Sequence, residues 1–200
     1  MKNLTRYSML LSVLTLLSIQ AVAQEAPFSV SVGIGNSSFQ LNEANIVTSY
    51  GPPLNSSSTF DDSATAFSLY GAMRLDEYLT LEADLLIAGD ITVTEAGQTF
   101  KLFDVSSLAI SLALGRQVGE RSRVFARLGA HFWDISESSG DLYTINNAVD
   151  LTYGIGMDIN LYGDRSRQLR VQWNHYEYDG VFINDSDTLT ANLLFLIGGD

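Results

Sequence analysis

Residues 147–162, NAVDLTYGIGMDINLY, alternate without a gap. Val149, Leu151, Tyr153, Ile155, Met157, Ile159 and Leu161 take every second position. Asp150, Thr152, Gly154, Gly156, Asp158 and Asn160 lie between them. A strand sends successive side chains to opposite faces. This segment therefore has one large apolar face and one small or acidic face. The fold turns on which of the two points into the protein.

The same alternation recurs in eight segments, about 28–39, 64–75, 78–89, 100–114, 122–134, 147–161, 167–178 and 187–197. No helix-period segment competes with them. Pro27, Pro52 and Pro53 fall outside all eight, as a hydrogen-bonded sheet requires.

The smaller face decides the direction. Leu79, Leu81, Ala83, Leu85 and Ile87 oppose Thr80, Glu82 and Asp84. Val124, Ala126, Leu128, Ala130 and Phe132 oppose Arg127, Gly129 and His131. Leu169, Val171 and Trp173 oppose Arg170, Gln172 and Asn174. The non-apolar face is mostly Gly, Ser, Ala and Thr with a few charges of both signs. A solvated sandwich face is seldom so small. The interior of a narrow eight-strand barrel must be. Arg74, Arg127 and Arg170 can then pair inside with Glu82, Asp84, Asp150 and Asp158, and buried charges need such pairing. His131 joins this polar lumen. The apolar face of residues 147–162 meets lipid, and the ring must close because lipid tolerates no open sheet edge. Segments of this length cross the hydrocarbon layer, which takes about 9–11 tilted residues. Phe28, Tyr78, Phe132, Tyr162, Tyr178 and Phe195, near strand ends, suit interfacial girdles. In the fourth segment Asp104 shares the parity of Leu108, Ile110 and Leu112. A bulge, or an upper end clear of the membrane, would account for it.

Residues 1–23 follow a separate logic. Lys2 and Arg6 precede an apolar stretch over 9–19, and Ala21, Val22 and Ala23 form a small-x-small cleavage site. This predicts a secretory signal peptide over 1–23 and a barrel domain over 24–200. Removing Lys2 and Arg6, with no acid in that segment, takes the formal charge from −12 to −14. So acidic a chain repels a phosphate backbone, which speaks against nucleic acid as a partner. The absence of cysteine removes disulfides, thiolate metal sites and a cysteine nucleophile.

The links between segments alternate in length. Those near 40–63, 90–99, 135–146 and 179–186 are longer. Those at Asp76 and Glu77, at RQVGERS and at YGDRSR are short. Arg116, Arg121, Arg123, Arg165 and Arg167 gather at the short links. Glu43, Asp61, Asp62, Glu95, Glu137, Asp141 and Asp185 lie in the long ones. Short periplasmic turns and longer extracellular loops have this asymmetry.

RVFARLGAHFWDIS (123–136), YGIGMDINL (153–161), LRVQWNHYEYDG (169–180) and DSDTLTANLLFLI (185–197) together resemble the second half of the OmpA-type eight-stranded transmembrane domain. OmpX-like small barrels share much of the pattern. The resemblance implies an all-β, eight-stranded antiparallel up-and-down transmembrane β-barrel in the outer membrane. It implies contact with outer-membrane lipid and lipopolysaccharide, and a monomer. The last segment is similar to the C-terminal signal read by the outer-membrane assembly machinery. Thr190, Phe195 and Ile197 match it, while Asn192 replaces the usual glycine. The chain ends after this segment, so peptidoglycan binding is not implied.

No cofactor or metal site is expected, and the Gly-x-Gly runs precede no helix, unlike phosphate loops. The expected role is structural or adhesin-like, with acidic loops outside presenting a surface to an extracellular ligand. The alternatives are a lipid A-modifying enzyme using His175, with Glu177 two residues on, a small low-conductance pore, or a soluble ligand-binding barrel.

Overall fold

The computed structural model describes residues 28–52, 54–55, 57–137, 148–161 and 166–197. The leader over 1–23, Asp141, Tyr162 and Arg165 lie outside the described residues. The elements are β1 (Phe28–Leu41), α1 (Glu43–Tyr50), β2 (Thr59–Asp61), β3 (Ser63–Arg74), β4 (Leu79–Glu95), β5 (Gln98–Val118), β6 (Ser122–Glu137), β7 (Ala148–Asn160), β8 (Arg167–Glu177) and β9 (Ile183–Ile197).

Eight long strands pair antiparallel in chain order, and β9 returns to β1 to close the ring. Short β2 extends the same ladder, pairing with β4 beyond the end of β3. Closure leaves the ring without an edge. No helix among the described residues is long and apolar enough to cross a membrane.

The face assignment follows the alternation. Ile155 is 60% exposed and Leu128 59%, whereas Thr152 and Asp158 are buried. The two glycines of the GIG run face inward, where neither leaves room for a side chain. A Cβ on Gly156 would lie 2.5 Å from the tip of the Phe125 ring, and one on Gly154 2.4 Å from the Trp173 carbonyl. Asn192, which stands where a glycine was expected, is accommodated by Gly33 across the β1–β9 ladder. A Cβ on Gly33 would fall on the Asn192 amide, which Ser68 Oγ also contacts.

The link expected at 90–99 is strand. β4 and β5 run 17 and 21 residues and meet in a two-residue turn, Ala96 and Gly97, with φ +50° and +78°. Positive φ at both positions matches the right-handed twist of the flanking strands. This hairpin is longer than a membrane span needs. Asp104 keeps the outward parity of Ile110 and Leu112, and a bulge lies just beyond it in the hairpin. The β4–β5 register slips at Ala88/Ile91 and again at Ile91/Thr92. Beyond the slip Lys101 holds Asp90 at 2.5 Å and Asp104 at 2.7 Å.

The first long link contains a helix that the alternation did not reveal. Asn42 caps it by accepting the Asn45 amide, and Glu43 sits favourably in the first turn. Two turns are too short to be stable alone. Packing holds α1: Ile46 is fully buried, the Asn42 amide donates to the Phe182 carbonyl, and Asn45 Nδ2 donates to the Val181 carbonyl.

α1 therefore sits over the long-link mouth of the barrel. Beneath it the interior is apolar, filled by Phe39, Ile91, Phe103, Trp133, Ile135 and Ile183 among others. The charges of the expected polar lumen gather in the short-link half, while in the long-link half only uncharged groups such as Ser37, Ser186 and Thr188 lie buried among the apolar side chains. Tyr178, assigned to a girdle, is instead buried inside, with its ring edge-on to Trp133 at 5.3 Å and to His131 at 5.1 Å. Tyr78, Phe132 and Phe195 do lie exposed on the outer wall. At the shortest link Asp76 accepts the Leu79 and Tyr78 amides at 2.6 and 2.7 Å, which hold its carboxyl below the usual range.

Candidate functional site: the charged interior

Asp158 of β7 and Arg170 of β8 are cross-strand partners. Alternation turns both inward, and their side chains meet as a two-pronged pair. Arg170 Nε donates to Asp158 Oδ1 at 2.6 Å and Nη2 to Oδ2 at 2.9 Å. The third nitrogen, Nη1, reaches across the barrel to Glu82 Oε1 at 3.0 Å. Tyr70 Oη donates to the same oxygen at 2.5 Å. The Arg170 guanidinium lies between two rings, 4.3 Å from the centre of Phe125 and 4.4 Å from that of Tyr70. Both rings lie within cation–π reach of the guanidinium, an arrangement that attracts it.

The chain of charges continues both ways. Arg127 Nε lies 3.7 Å from Glu82 Oε2, and Nη1 lies 3.3 Å from Asp84 Oδ2. Arg123 Nη1 lies 3.6 Å from Asp158 Oδ2, the oxygen that Arg170 Nη2 also holds. The order is Arg123, Asp158, Arg170, Glu82, Arg127, Asp84, with signs alternating. Three cations meet three carboxylates, all buried. That balance is what burial demands, since an odd charge here would have no water to solvate it.

Two expected members stand apart. Arg74 ends β3 exposed at the short-link mouth, where the strand runs out before its side chain can enter the network. Asp150 lies at the opposite end, accepting Trp133 Nε1 at 2.6 Å and the Asp179 amide at 3.0 Å. Arg123 takes the cationic place instead. In the sequence it stands among the arginines of the short link, yet it shares the inward parity of Arg127.

His131 is buried just beyond the charges but pairs with none of them. Its Nε2 faces the Glu177 carbonyl at 2.6 Å and must donate, so Nδ1, at 2.9 Å, accepts from Ser107 Oγ. The rings of Tyr176 and Tyr178 stand edge-on at 5.1 Å each. His175 is on the outer wall, with Nδ1 2.9 Å from Asp187 and the Tyr153 ring 4.8 Å away. Among the described residues no three metal-ligating side chains converge.

An apolar outer wall, paired charges sealed inside and a ring without edges define a transmembrane β-barrel. The chain belongs to the outer membrane protein beta-barrel domain family, which it matches over residues 9–195. It is a protein of the outer membrane. Its fold is similar to that of Neisserial surface protein A, with 12% identity, TM-score 0.60, and coverage of 84% of this chain and 96% of that one. It is also similar to OprG of Pseudomonas aeruginosa, at 12% identity and TM-score 0.54 over 88% and 98% of the two chains. Ail of Yersinia pestis, solved in complex with the heparin analogue sucrose octasulfate, matches at 16% identity and TM-score 0.53 over 86% and 99%. At these identities the likeness is one of fold. No curated protein matches the sequence.

Proposed function

We propose that this chain is a membrane-spanning scaffold that presents an adhesive surface outside the cell. The observation that carries this reading is the split interior. Paired charges and an apolar plug leave the barrel no continuous watery path, so its useful surface is at the ends. The long links are extracellular, the short ones periplasmic, residues 1–23 are removed on export, and the C-terminal strand is read by the assembly machinery. The barrel works as a monomer in contact with lipopolysaccharide.

The long-link end is acidic. Glu43, Asp61, Asp62, Asp90, Glu95 and Asp104 lie there among described residues. Ail was solved with a heparin analogue, a polyanion. The acids of this chain repel polyanions and suit a basic partner surface instead. The lipid A-modifying alternative rests on His175. Its Nδ1 faces the Asp187 carboxylate, and among the described residues no serine or threonine hydroxyl hydrogen-bonds its ring.

The test is adherence of cells displaying the protein to surfaces coated with basic or with sulfated polymer. Binding to the basic surface is expected to exceed that to the sulfated one, to fall with salt, and to weaken in Asp61→Asn/Asp62→Asn/Glu95→Gln. Equal adherence by cells lacking the protein would overturn the reading.

A further inference from the structure

At the short-link end the barrel opens into a cavity of about 390 Å³ lined by Arg74, Arg116, Arg121 and Arg123, with Glu77 and Asp158 opposite. Four of the chain's 11 basic residues therefore converge on one opening of an otherwise acidic protein. Asp158 is already engaged by the Arg170 fork and by Arg123. Among the described residues Arg74, Arg116 and Arg121 form no ion pair.

Arg123 supplies an independent sign. Its side chain is only 7% exposed. Nη2 donates to the Tyr78 carbonyl at 3.0 Å and to Thr80 Oγ1 at 3.1 Å. Its Nε, also buried, has no partner. The guanidinium occupies space that only a glycine leaves free, since a Cβ on Gly115 would lie 2.7 Å from Cζ.

We propose that this vestibule binds a phosphate-type oxyanion, supplied by the headgroup of a phospholipid in the adjacent leaflet or by free phosphate. Arginine forks match phosphate oxygens in pairs. A carboxylate is satisfied by one fork, whereas a phosphate has acceptors for several arginines arriving from β3, β5, β6 and the turn between the last two. The low-dielectric walls strengthen the field of an unpaired cationic cluster. The opening also reaches the bilayer surface. Arg116 continues the outward row of Leu112 and Leu114, and Tyr78 lies exposed beside it at a depth suited to headgroups.

The probe is inorganic phosphate, added to the protein folded in maltoside micelles, which carry no phosphate of their own. NMR of the arginine Nε–H groups reports binding. Saturating shifts at Arg74, Arg121 and Arg123 are expected, with affinity lowered about tenfold in Arg74→Gln/Arg121→Gln, as the loss of charged hydrogen bonds implies. Both substituted side chains are exposed, and a heat-dependent mobility shift in SDS checks that the variant folds. A second titration uses a short-chain phosphatidylglycerol. Tighter saturation by the lipid identifies the headgroup as the source; equal or weaker saturation identifies free phosphate. Linear, non-saturating shifts in both titrations, or saturation that the double substitution leaves unchanged, would overturn the proposal.

Discussion

Replacing Arg170 by leucine will destabilise the barrel by about 3–5 kcal/mol, the usual cost of removing one partner from a buried ion pair. Two carboxylates lose their main cation at once. Asp158 loses both prongs of its fork, and Glu82 loses the 3.0 Å contact across the lumen. Neither can turn to water, because both are buried. The rings of Tyr70 and Phe125 lose the guanidinium between them. Urea unfolding in lipid vesicles, followed by the fluorescence of Trp133 and Trp173, measures the loss. A control separates charge from packing. Adding Glu82→Gln to the leucine variant is expected to recover much of the stability, because it leaves two cations facing two carboxylates, Arg123 with Asp158 and Arg127 with Asp84. If the single variant unfolds at the same urea concentration as the parent, the charge network does not hold the barrel.

Leu128→Arg tests the other face. Leu128 sits on the outer wall between Leu112 of β5 and Tyr153 of β7. An arginine there must enter hydrocarbon, at about 2–4 kcal/mol near the bilayer midplane. In a water-soluble barrel of this fold the same exposed position would tolerate arginine within about 0.5 kcal/mol. The same unfolding measurement in vesicles distinguishes the two, and the larger loss is expected.

Much of this was legible because a barrel wall imposes a two-residue period. Residues 147–162 announce it, and their inward glycines mark where Phe125 and the β8 backbone press close. Glu82, Asp84, Arg127, Asp158 and Arg170 were identifiable as one set because parity puts them on the small face. Parity does not say how far along the axis a side chain reaches, and the errors came from there. Arg123 was grouped with the turn arginines though its parity turns it inward. Arg74 and Asp150 have the right parity but stand at opposite ends. Tyr178 follows β8 and reads as a girdle aromatic, but it shares the inward parity of Asn174 and Tyr176 and its ring closes over His131. α1 was invisible for a different reason. Eight residues give barely two turns of periodicity, and what holds them is Ile46 packed into the mouth. The apolar plug escaped notice because β4 changes parity at its register slip, which sends Ile91 and Val93 inward where unbroken alternation would turn them out.

The most direct test of a closed scaffold is electrical. Purified protein inserted into planar bilayers at high salt is expected to give no conductance steps, because ion-paired arginines and carboxylates block one half of the barrel and apolar side chains under α1 block the other. Correct folding is verified in the same preparation by a heat-dependent mobility shift in SDS. Stable conductance steps from the folded protein would contradict the scaffold reading and make the interior a pathway.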